Sequence, residues 1–342
     1  MKNFTFIDLF AGIGGFRIAL EEHGGDCVYS SEWDKFTQIT YNHNFGEMPH
    51  GDITQVNPSS IPNHDVLCGG FPCQAFSISG KQGGFDDTRG TLFFDVANIV
   101  KHKKPKILFL ENVRNFIRHD GGRTLATIKS VLDGLGYNVF TEVINSSNYG
   151  VPQHRQRVYI LCFRKNLNVN TFNFPKPTND YIYLKDILEE KINLNEYEVK
   201  RKDIKINGND KLLSDDLIGA KRLRPIRVGT INKGGQGERI YSPEGHAITL
   251  SAYGGGIAGK TGAYLINNKV RQLTKRECLR VQGFPESFSF PEEISRAQVY
   301  KMCGNSVSIP VVSKIFQQVK FNVRSELGLG TTHLLTQSVT AE

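Results

Sequence analysis

The first half of this 342-residue chain alternates short apolar runs with segments whose apolar residues have helical spacing. Apolar runs occur at residues 4–10, 27–30, 65–68, 105–110, 138–143 and 158–163. Strands that alternate with helices predict an open α/β sheet, because each helix carries the chain back to begin another strand. Ligands of such sheets bind beyond the carboxyl ends of the strands, so the residues that follow each run are candidates for a functional site.

The first run ends in a glycine-rich turn, Ala11-Gly12-Ile13-Gly14-Gly15, and a helix is predicted from Phe16. Strand, glycine turn and helix form the setting of a nucleotide-type cofactor site, because glycine lets the backbone approach a ligand closely. The second run ends at Glu32, about 20 residues further on, where a carboxylate can bind ribose hydroxyls. Asp52 stands where a third strand would end and offers another carboxylate near the same ligand.

Trp33 and Asp34 follow Glu32 directly. Trp33 is the only tryptophan; it can stack on an adenine ring, and ordinary packing in the core is the alternative. Asp34 is expected to cap the next helix, predicted at residues 35–44.

The third run leads through two glycines into Phe71-Pro72-Cys73-Gln74. A thiol on the loop beyond a buried strand stands where a nucleophile would be needed, and a packed, unreactive thiol is the alternative. The loop at residues 74–84 is polar and rich in glycine, which is typical of a mobile lid.

Charged residues adjoin the next two runs of the predicted sheet. Glu111 follows the run at 105–110, so it can lie beside Cys73 at the same edge; a salt-bridged or capping glutamate is the alternative. Arg155 and Arg157 lead into the last run and, two residues apart, face one side of a strand. They can hold a phosphate or a developing negative charge, and a surface ion-pair face is the alternative.

The net charge of +8 is concentrated in one segment. Residues 198–280 contain 17 Lys or Arg and 8 Asp or Glu, a balance of +9, so the remaining chain carries −1. A localised basic excess favours a polyanionic partner. The six cysteines include no Cys-x-x-Cys pair, which favours free thiols in the cytoplasm over disulfides or a metal site. We expect no signal peptide, and no apolar run approaches the ~18–20 residues of a membrane span.

The alternation is lost near residue 181, and ten glycines fall within residues 229–262. Segments 234–239 and 249–256 have the composition of recognition loops, which bring backbone and long polar side chains close to a groove. A flexible linker is the alternative, but the Ile, Leu and Tyr residues between the glycines favour short strands. A helix is predicted at 120–135, between the apolar runs at 105–110 and 138–143, and helices are predicted again at 274–281 and 309–319.

Six blocks of the sequence, in order, resemble the C5-cytosine DNA methyltransferases of bacterial restriction–modification systems. They are Phe10-Ala11-Gly12-Ile13-Gly14-Gly15, Gly70-Phe71-Pro72-Cys73-Gln74, Glu111-Asn112-Val113, Gln153-His154-Arg155-Gln156-Arg157, residues 276–285 and Gly304-Asn305-Ser306. The resemblance covers about residues 4–320. It implies a doubly wound, Rossmann-like α/β domain that binds S-adenosylmethionine without a metal. It also implies a smaller target-recognition domain of strands and loops, with duplex DNA in the cleft between the two.

The resemblance assigns four residues to the reaction. C5 of cytosine is a weak nucleophile, so a thiolate first adds at C6, and Cys73 is the implied thiolate. Glu111 would hydrogen-bond N3 and the exocyclic amine, and Arg157 would orient the base. Arg155 would support the same loop. Removal of the C5 proton needs a base, for which water is one candidate.

The resemblance also implies that the target base is flipped out of the duplex, since C5 is out of reach within it. Gln236 and Ser79 would fill the vacated space and Thr249 would contact the backbone. Arg239 and Gly256 would read base pairs of a 5′-GCGC-3′ target, with Tyr253 also at the DNA. The implied cofactor pocket comprises Phe10, Gly12, Gly14, Glu32, Trp33, Asp52, Ile53, Pro72, Leu92 and Asn305.

The predicted large domain comprises residues 1–185 and 300–325, the recognition domain residues 186–299, and a tail residues 326–342. A monomer is expected because one chain supplies a whole cleft, and it would serve alongside a restriction endonuclease without a stable complex. The alternatives are a tRNA cytosine-C5 methyltransferase with the same catalytic motifs and a non-catalytic DNA-binding regulator with this fold.

Overall fold

The larger sheet of the molecule has six strands in the order β2-β1-β3-β4-β6-β5. The computed structural model describes residues 3–72, 92–178, 180–190, 193–207, 224–323 and 327. The strands are β1 (Phe4–Leu9), β2 (Gly25–Ser31), β3 (Val66–Gly70), β4 (Ile107–Val113), β5 (Tyr137–Asn145) and β6 (Gln156–Arg164). Strands β1 to β4 are parallel, whereas β6 is antiparallel to β4 and β5. The chain moves from β1 to β2 on one side and then to β3 on the other, and this reversal opens a crevice at their carboxyl ends.

Helices cover both faces of this sheet, because alternate residues of each strand enter different hydrophobic clusters. In β4, Ile107 and Phe109 join one cluster and Leu108 and Leu110 join the other. The helices of the described residues are α1 (Gly15–Glu22), α2 (Lys35–Phe45), α3 (Leu92–Lys103), α4 (Arg123–Gly134), α5 (Leu194–Tyr197), α6 (Lys275–Arg280), α7 (Arg296–Asn305) and α8 (Ile309–Asn322), besides short 3-10 turns. Helices α1 and α8 pack into the first cluster, and α3 and α4 into the second. This arrangement confirms the predicted doubly wound α/β fold.

A second, five-stranded sheet is built from the glycine-rich segment. Its order is β11-β10-β9-β8-β7, from β7 (Ile204–Ile206), β8 (Ile226–Ile231), β9 (Arg239–Ser242), β10 (Ala263–Ile266) and β11 (Lys269–Arg271). All neighbours are antiparallel except β9 and β10. One face has its own small cluster, which includes Ile231, Ile240 and Val270. The short strands predicted from the apolar residues are confirmed, and the linker alternative is wrong.

Two boundaries differ from those predicted. A third strand does not end at Asp52: His50 forms only an isolated bridge with Ser31, and the Asp52 side chain accepts from the Thr54 N–H to begin a 3-10 turn. The helix predicted from Asp120 begins instead at Arg123, since residues 120–122 have φ of 51°, 64° and 90°. Left-handed backbone of this kind cannot continue a right-handed helix.

Helix α7 was absent from the prediction, although its start has a local signal. The Ser295 hydroxyl accepts from the Gln298 N–H and the Gln298 side chain accepts from the Ser295 N–H, which is a capping box. The expected cap of α2 is confirmed, because Asp34 accepts from two backbone N–H groups of the first turn. The domain boundaries stay a prediction. The tail, apart from Leu327, lies outside the described residues.

Candidate active site

A cavity of about 550 Å³ lies where the carboxyl ends of β1, β2, β3 and β4 meet. Its wall includes Glu111, Arg155 and Arg157 of the candidate catalytic set and Tyr253 of the candidate DNA-binding set. Nine of the ten residues predicted for the cofactor also line it: Phe10, Gly12, Glu32, Trp33, Asp52, Ile53, Pro72, Leu92 and Asn305. The structure thus brings the predicted cofactor residues and three predicted catalytic residues into one space.

Glu32 is held between the glycine turn and the residues that follow β2. Its Oε2 accepts from the Gly12 N–H over 2.9 Å and its Oε1 from the Asp34 N–H over 2.8 Å. Burial raises the pKa of this carboxyl, and the backbone donors oppose that shift. A carboxylate has about four acceptor sites, so both oxygens keep capacity for a ligand hydroxyl.

The glycine turn carries backbone strain beside this carboxylate. Phe10 and Gly12 have φ of 54° and 56°, in the left-handed region that non-glycine residues seldom adopt. Strained backbone concentrates at ligand sites. Gly14, by contrast, does not line the cavity: its φ is 82°, and a Cβ there would lie 2.3 Å from the Phe45 ring. Its geometry assigns Gly14 to the turn and to packing.

Trp33 lies on the cavity wall and is 78% exposed, so the alternative of a core tryptophan is wrong. The next residue, Asp34, also lines the cavity, and its Oδ2 accepts from Lys301 Nζ, another lining group, over 2.7 Å. Burial alone would raise the pKa of Asp34, but Lys301 and the first amides of α2 lower it overall. Lys301 stands one turn before Asn305 on α7, and sequence reasoning missed it because α7 was not predicted.

Glu111 is buried at the end of β4, beside Arg157. Glu111 Oε1 lies 3.0 Å from Arg157 Nε, but the N–H is not aimed at that oxygen, which has no hydrogen-bond donor among the described residues. Burial raises the pKa of Glu111, while Arg157 and then Arg155 oppose the rise. This carboxyl is therefore suited to carry a proton above the usual range of a glutamate.

The loop that bears Cys73 leaves β3 next to Glu111. Gly70 pairs with Glu111 in the sheet, and the Asn112 side-chain amide donates to the Phe71 carbonyl over 2.9 Å. Asn112 was not predicted to have a role; its position in the block Glu111-Asn112-Val113 is the only signal. Cys73 and Ser79 lie outside the described residues, so their roles stay predictions.

Arg155 is 1% exposed and joins segments that are distant in the chain. Its guanidinium donates to the carbonyls of Leu250 at 3.2 Å, Gly304 at 3.1 Å and Ser306 at 2.5 Å. Burial lowers the pKa of Arg155 to about 9, and the Arg157 charge adds to that lowering. Arg155 therefore fixes the second recognition loop against the end of α7 and acts as a positioning residue.

The two predicted recognition loops contact each other through their backbones. A Cβ on Gly237 would lie 1.8 Å from the Gly255 carbonyl oxygen, and one on Gly256 would lie 2.8 Å from that of Gly237. The Ala258 N–H also donates to the Gly237 carbonyl over 2.9 Å. Only glycine permits this approach, so the loops form one recognition unit.

The predicted DNA-binding side chains have different settings within this unit. Gln236 is exposed in the 3-10 turn Gln236–Glu238, and Arg239 begins β9. The Thr249 hydroxyl donates to the His154 carbonyl over 2.5 Å. Tyr253 is 81% exposed at the cavity.

In the part of the chain that the structure describes, no group of three or more His, Cys, Asp or Glu is arranged to hold a metal ion. Within the same ranges, no helix combines the length and apolar character needed to span a bilayer.

Comparisons of the sequence with a family profile and with individual proteins agree on one family. The sequence profile of the C-5 cytosine-specific DNA methylases matches residues 4–321. The chain is 52% identical to the Type II methyltransferase M.HhaI of Haemophilus parahaemolyticus, over 96% of each chain. It is 44% identical to the Type II methyltransferase M.HpaII of Haemophilus parainfluenzae, over 91% of this chain and 87% of that one.

Solved structures agree on the fold. The Dnmt2 methyltransferase of S. pombe superposes with a TM-score of 0.69 over 93% of this chain and 98% of that one, at 20% identity. A DNA modification methyltransferase encoded within an E. coli prophage gives 0.64 over 94% and 99%, at 21% identity. The chain therefore belongs to the C5-cytosine-specific DNA methylases and is a methyltransferase of the Type II restriction–modification kind.

Proposed function

We propose that this enzyme transfers a methyl group from S-adenosylmethionine to C5 of a cytosine flipped out of duplex DNA, within 5′-GCGC-3′, through a covalent adduct of Cys73 with C6. The observation that carries the proposal is the single cavity in which Glu32 and Trp33 share a wall with Glu111 and Arg157. We further infer a cytoplasmic monomer that protects host DNA from a restriction endonuclease with the same target.

The residues of the cavity fit S-adenosylmethionine. Glu32 presents carboxylate oxygens to ribose hydroxyls, and the exposed Trp33 indole offers a stacking surface to adenine. A volume of about 550 Å³ suits a ligand of this size. When bound, the cofactor would supply an electrophilic methyl group. Asn305, which lines the same cavity as Glu111, would help to hold it.

Glu111 and Arg157 act on the flipped cytosine in this proposal. A protonated Glu111 donates to N3, which stabilises the negative charge that reaches the ring when sulfur adds at C6. Burial raises the pKa of Glu111, which favours the protonated carboxyl that this donation requires. Arg157, beside it, orients the base and balances the charge that remains.

The covalent step uses the thiolate of Cys73. Its electron pair forms the S–C6 bond, and the C5=C6 electrons would then form the bond from C5 to the methyl group. The bond between that methyl group and the cofactor sulfur would break with its electron pair left on sulfur, so that S-adenosylhomocysteine is the product. Loss of the C5 proton to a base restores the double bond and expels the thiolate, so the enzyme returns unchanged. The anchor between Asn112 and Phe71 supports this role, because it fixes the start of the Cys73 loop next to Glu111.

Restriction-protection mapping tests the proposed target. Duplex DNA incubated with the enzyme and S-adenosylmethionine should resist a nuclease that cuts GCGC and remain sensitive to nucleases with other targets. Transfer of tritiated methyl groups to tRNA but not to duplex DNA would favour the tRNA methyltransferase instead. Protection at another sequence would refute the GCGC assignment while leaving the reaction intact.

Cys73→Ser separates the enzyme from a non-catalytic DNA-binding regulator. We expect the variant to lose methyl transfer, because a serine hydroxyl is far less ionised than a thiol, and to keep specific DNA binding. Cys27→Ser, at a half-buried cysteine outside the cavity wall, is the matched control and should stay active. Full activity of the Cys73 variant would remove that residue from its role.

A further inference from the structure

The second sheet, β7 to β11, carries the two recognition loops and is called the recognition sheet below. The pairing of its strands shows which side chains lie on each of its two faces. Residues that pair across neighbouring strands share a face. Lys205 of β7 pairs with Thr230 of β8, and Thr230 pairs with Arg239 of β9. These three side chains therefore project from one face. Ile204 pairs with Ile231 and lies with it in the small hydrophobic cluster of the opposite face.

Part of the face that bears Arg239 is covered and part is open. Arg227 of β8 pairs with Tyr241 of β9, which places both on this face. Tyr241 and its neighbour Tyr264 are buried in the large hydrophobic cluster that includes α8. Lys205 and Arg227, on the other half, are exposed. The open half thus adjoins the part of this face that packs into the large hydrophobic cluster.

Three cations stand together on this open half. Among the described residues, neither Lys205 nor Arg227 has an ion-pair partner, and the buried Arg239 Nε has no hydrogen-bond acceptor. Arg227 reaches the first recognition loop, since a Cβ on Gly234 would lie 3.1 Å from its Nη2. The positive charge is therefore gathered where the loop and the sheet meet.

The acidic side chains of the adjoining turns do not neutralise this face. Asp203, before β7, is 2.6 Å from Arg201. Glu238, before β9, accepts from the Asn232 side chain at 2.8 Å and from the Gly235 N–H at 3.0 Å. Both carboxylates are already bound within their own turns.

We infer that Lys205 and Arg227 form a phosphate-binding edge that holds the DNA backbone beside the bases read by Arg239. The inference rests on the proposed role of Arg239. Two strand spacings separate Lys205 from Arg239, roughly 10 Å. That distance corresponds to about three base steps along a duplex. Lys205 is thus placed for a phosphate at the margin of a four-base-pair target, where it adds affinity without reading sequence.

The test measures how DNA binding depends on salt. For each phosphate contact removed, the slope of log K against log salt should fall by about 0.9, and affinity at 0.1 M salt should fall about eightfold. Lys205→Gln and Arg227→Gln should each show this change, and the double variant about sixtyfold weaker binding. The loss should be equal for a GCGC duplex and a duplex with altered bases, and the protected sequence should not change.

Lys269→Gln is the control, because Lys269 is exposed on the opposite edge strand and lies 3.7 Å from Glu198. An unchanged slope in both Lys205 and Arg227 variants, or an equal change in the Lys269 variant, overturns the inference. Arg239→Gln separates it from the proposed function: full discrimination for GCGC in that variant would refute the reading role of Arg239. A lowered slope with Lys205→Gln would still support the phosphate-binding edge.

Discussion

Arg155 and Arg157 lie two residues apart, but replacing each by methionine should have a different effect. We expect the Arg155 variant to lose mainly stability and the Arg157 variant to lose mainly activity. Arg155→Met leaves three buried carbonyls, of Leu250, Gly304 and Ser306, without their donor. Each unsatisfied carbonyl costs about 1–3 kcal/mol, although removing the buried charge recovers part of the sum. Breaking a buried charged network typically costs about 3–5 kcal/mol. We expect the free energy of unfolding to fall by that amount, a large part of the roughly 5–15 kcal/mol of a typical protein.

Arg157→Met should damage catalysis far more than stability. The Arg157 guanidinium donates to one carbonyl, that of Gln156, and pairs with Glu111, which can take up a proton when its partner is lost. The expected loss of stability is about 1 kcal/mol. Methyl transfer should fall about 10²–10³-fold, as when a single transition-state donor is removed.

Urea unfolding followed by circular dichroism measures the first quantity, and single-turnover methyl transfer measures the second. Arg155→Lys keeps the charge but not the planar fork, so its stability should lie between those of the wild type and the methionine variant. Equal unfolding midpoints for Arg155→Met and Arg157→Met would refute the positioning role of Arg155.

Three further predictions concern Glu111, Trp33 and His246. Glu111→Gln should slow methyl transfer about 10²–10⁴-fold. Wild-type activity should decline as pH rises through the raised pKa of Glu111, and this limb should vanish from the pH profile of the Gln variant. Trp33→Ala should change the unfolding free energy by less than about 0.5 kcal/mol, because the indole is exposed. It should also weaken S-adenosylmethionine binding about tenfold by calorimetry; unchanged affinity would exclude stacking. Burial, aided by nearby His154, lowers the pKa of His246 to about 4, below its ordinary 6.5. The unfolded chain therefore binds that proton first, and stability should fall by about 2–3 kcal/mol as pH drops from 6.5 to 4. In His246→Asn the unfolding midpoint should depend less on pH over this range. An equal dependence in the variant and the wild type would contradict the role of His246.

The features that the sequence predicts are those with a local cause. The apolar runs become strands because alternate residues must fill two clusters, so a run such as 107–110 carries its own signal. Glu111 was predicted to lie at the sheet edge because it directly follows a buried apolar run, so its position is fixed by the end of that strand. The position of Asp34 before a helical pattern likewise predicted a cap, which the structure confirms.

Contacts with backbone groups far away in the chain have no such signal. The Arg155 acceptors lie 95 to 151 residues from it and are carbonyls, which every residue has. The spacing of two residues therefore predicts the same role for Arg155 and Arg157. Both line the cavity, but Arg155 donates to three distant carbonyls, whereas Arg157 pairs with Glu111. Gly14 illustrates the same limit, since the Phe45 ring that excludes a side chain there lies 31 residues away.

The backbone contact between Gly237 and Gly255 has a consequence for how target specificity can change. A bulkier residue on either side forces the two loops apart, so a substitution in one loop shifts the base contacts of the other. Replacing one loop by that of a relative should therefore give an enzyme with weakened binding to both parental targets. Exchange of both loops together preserves their fit, and new specificities in this fold should arise by exchange of the pair rather than by independent drift of each loop.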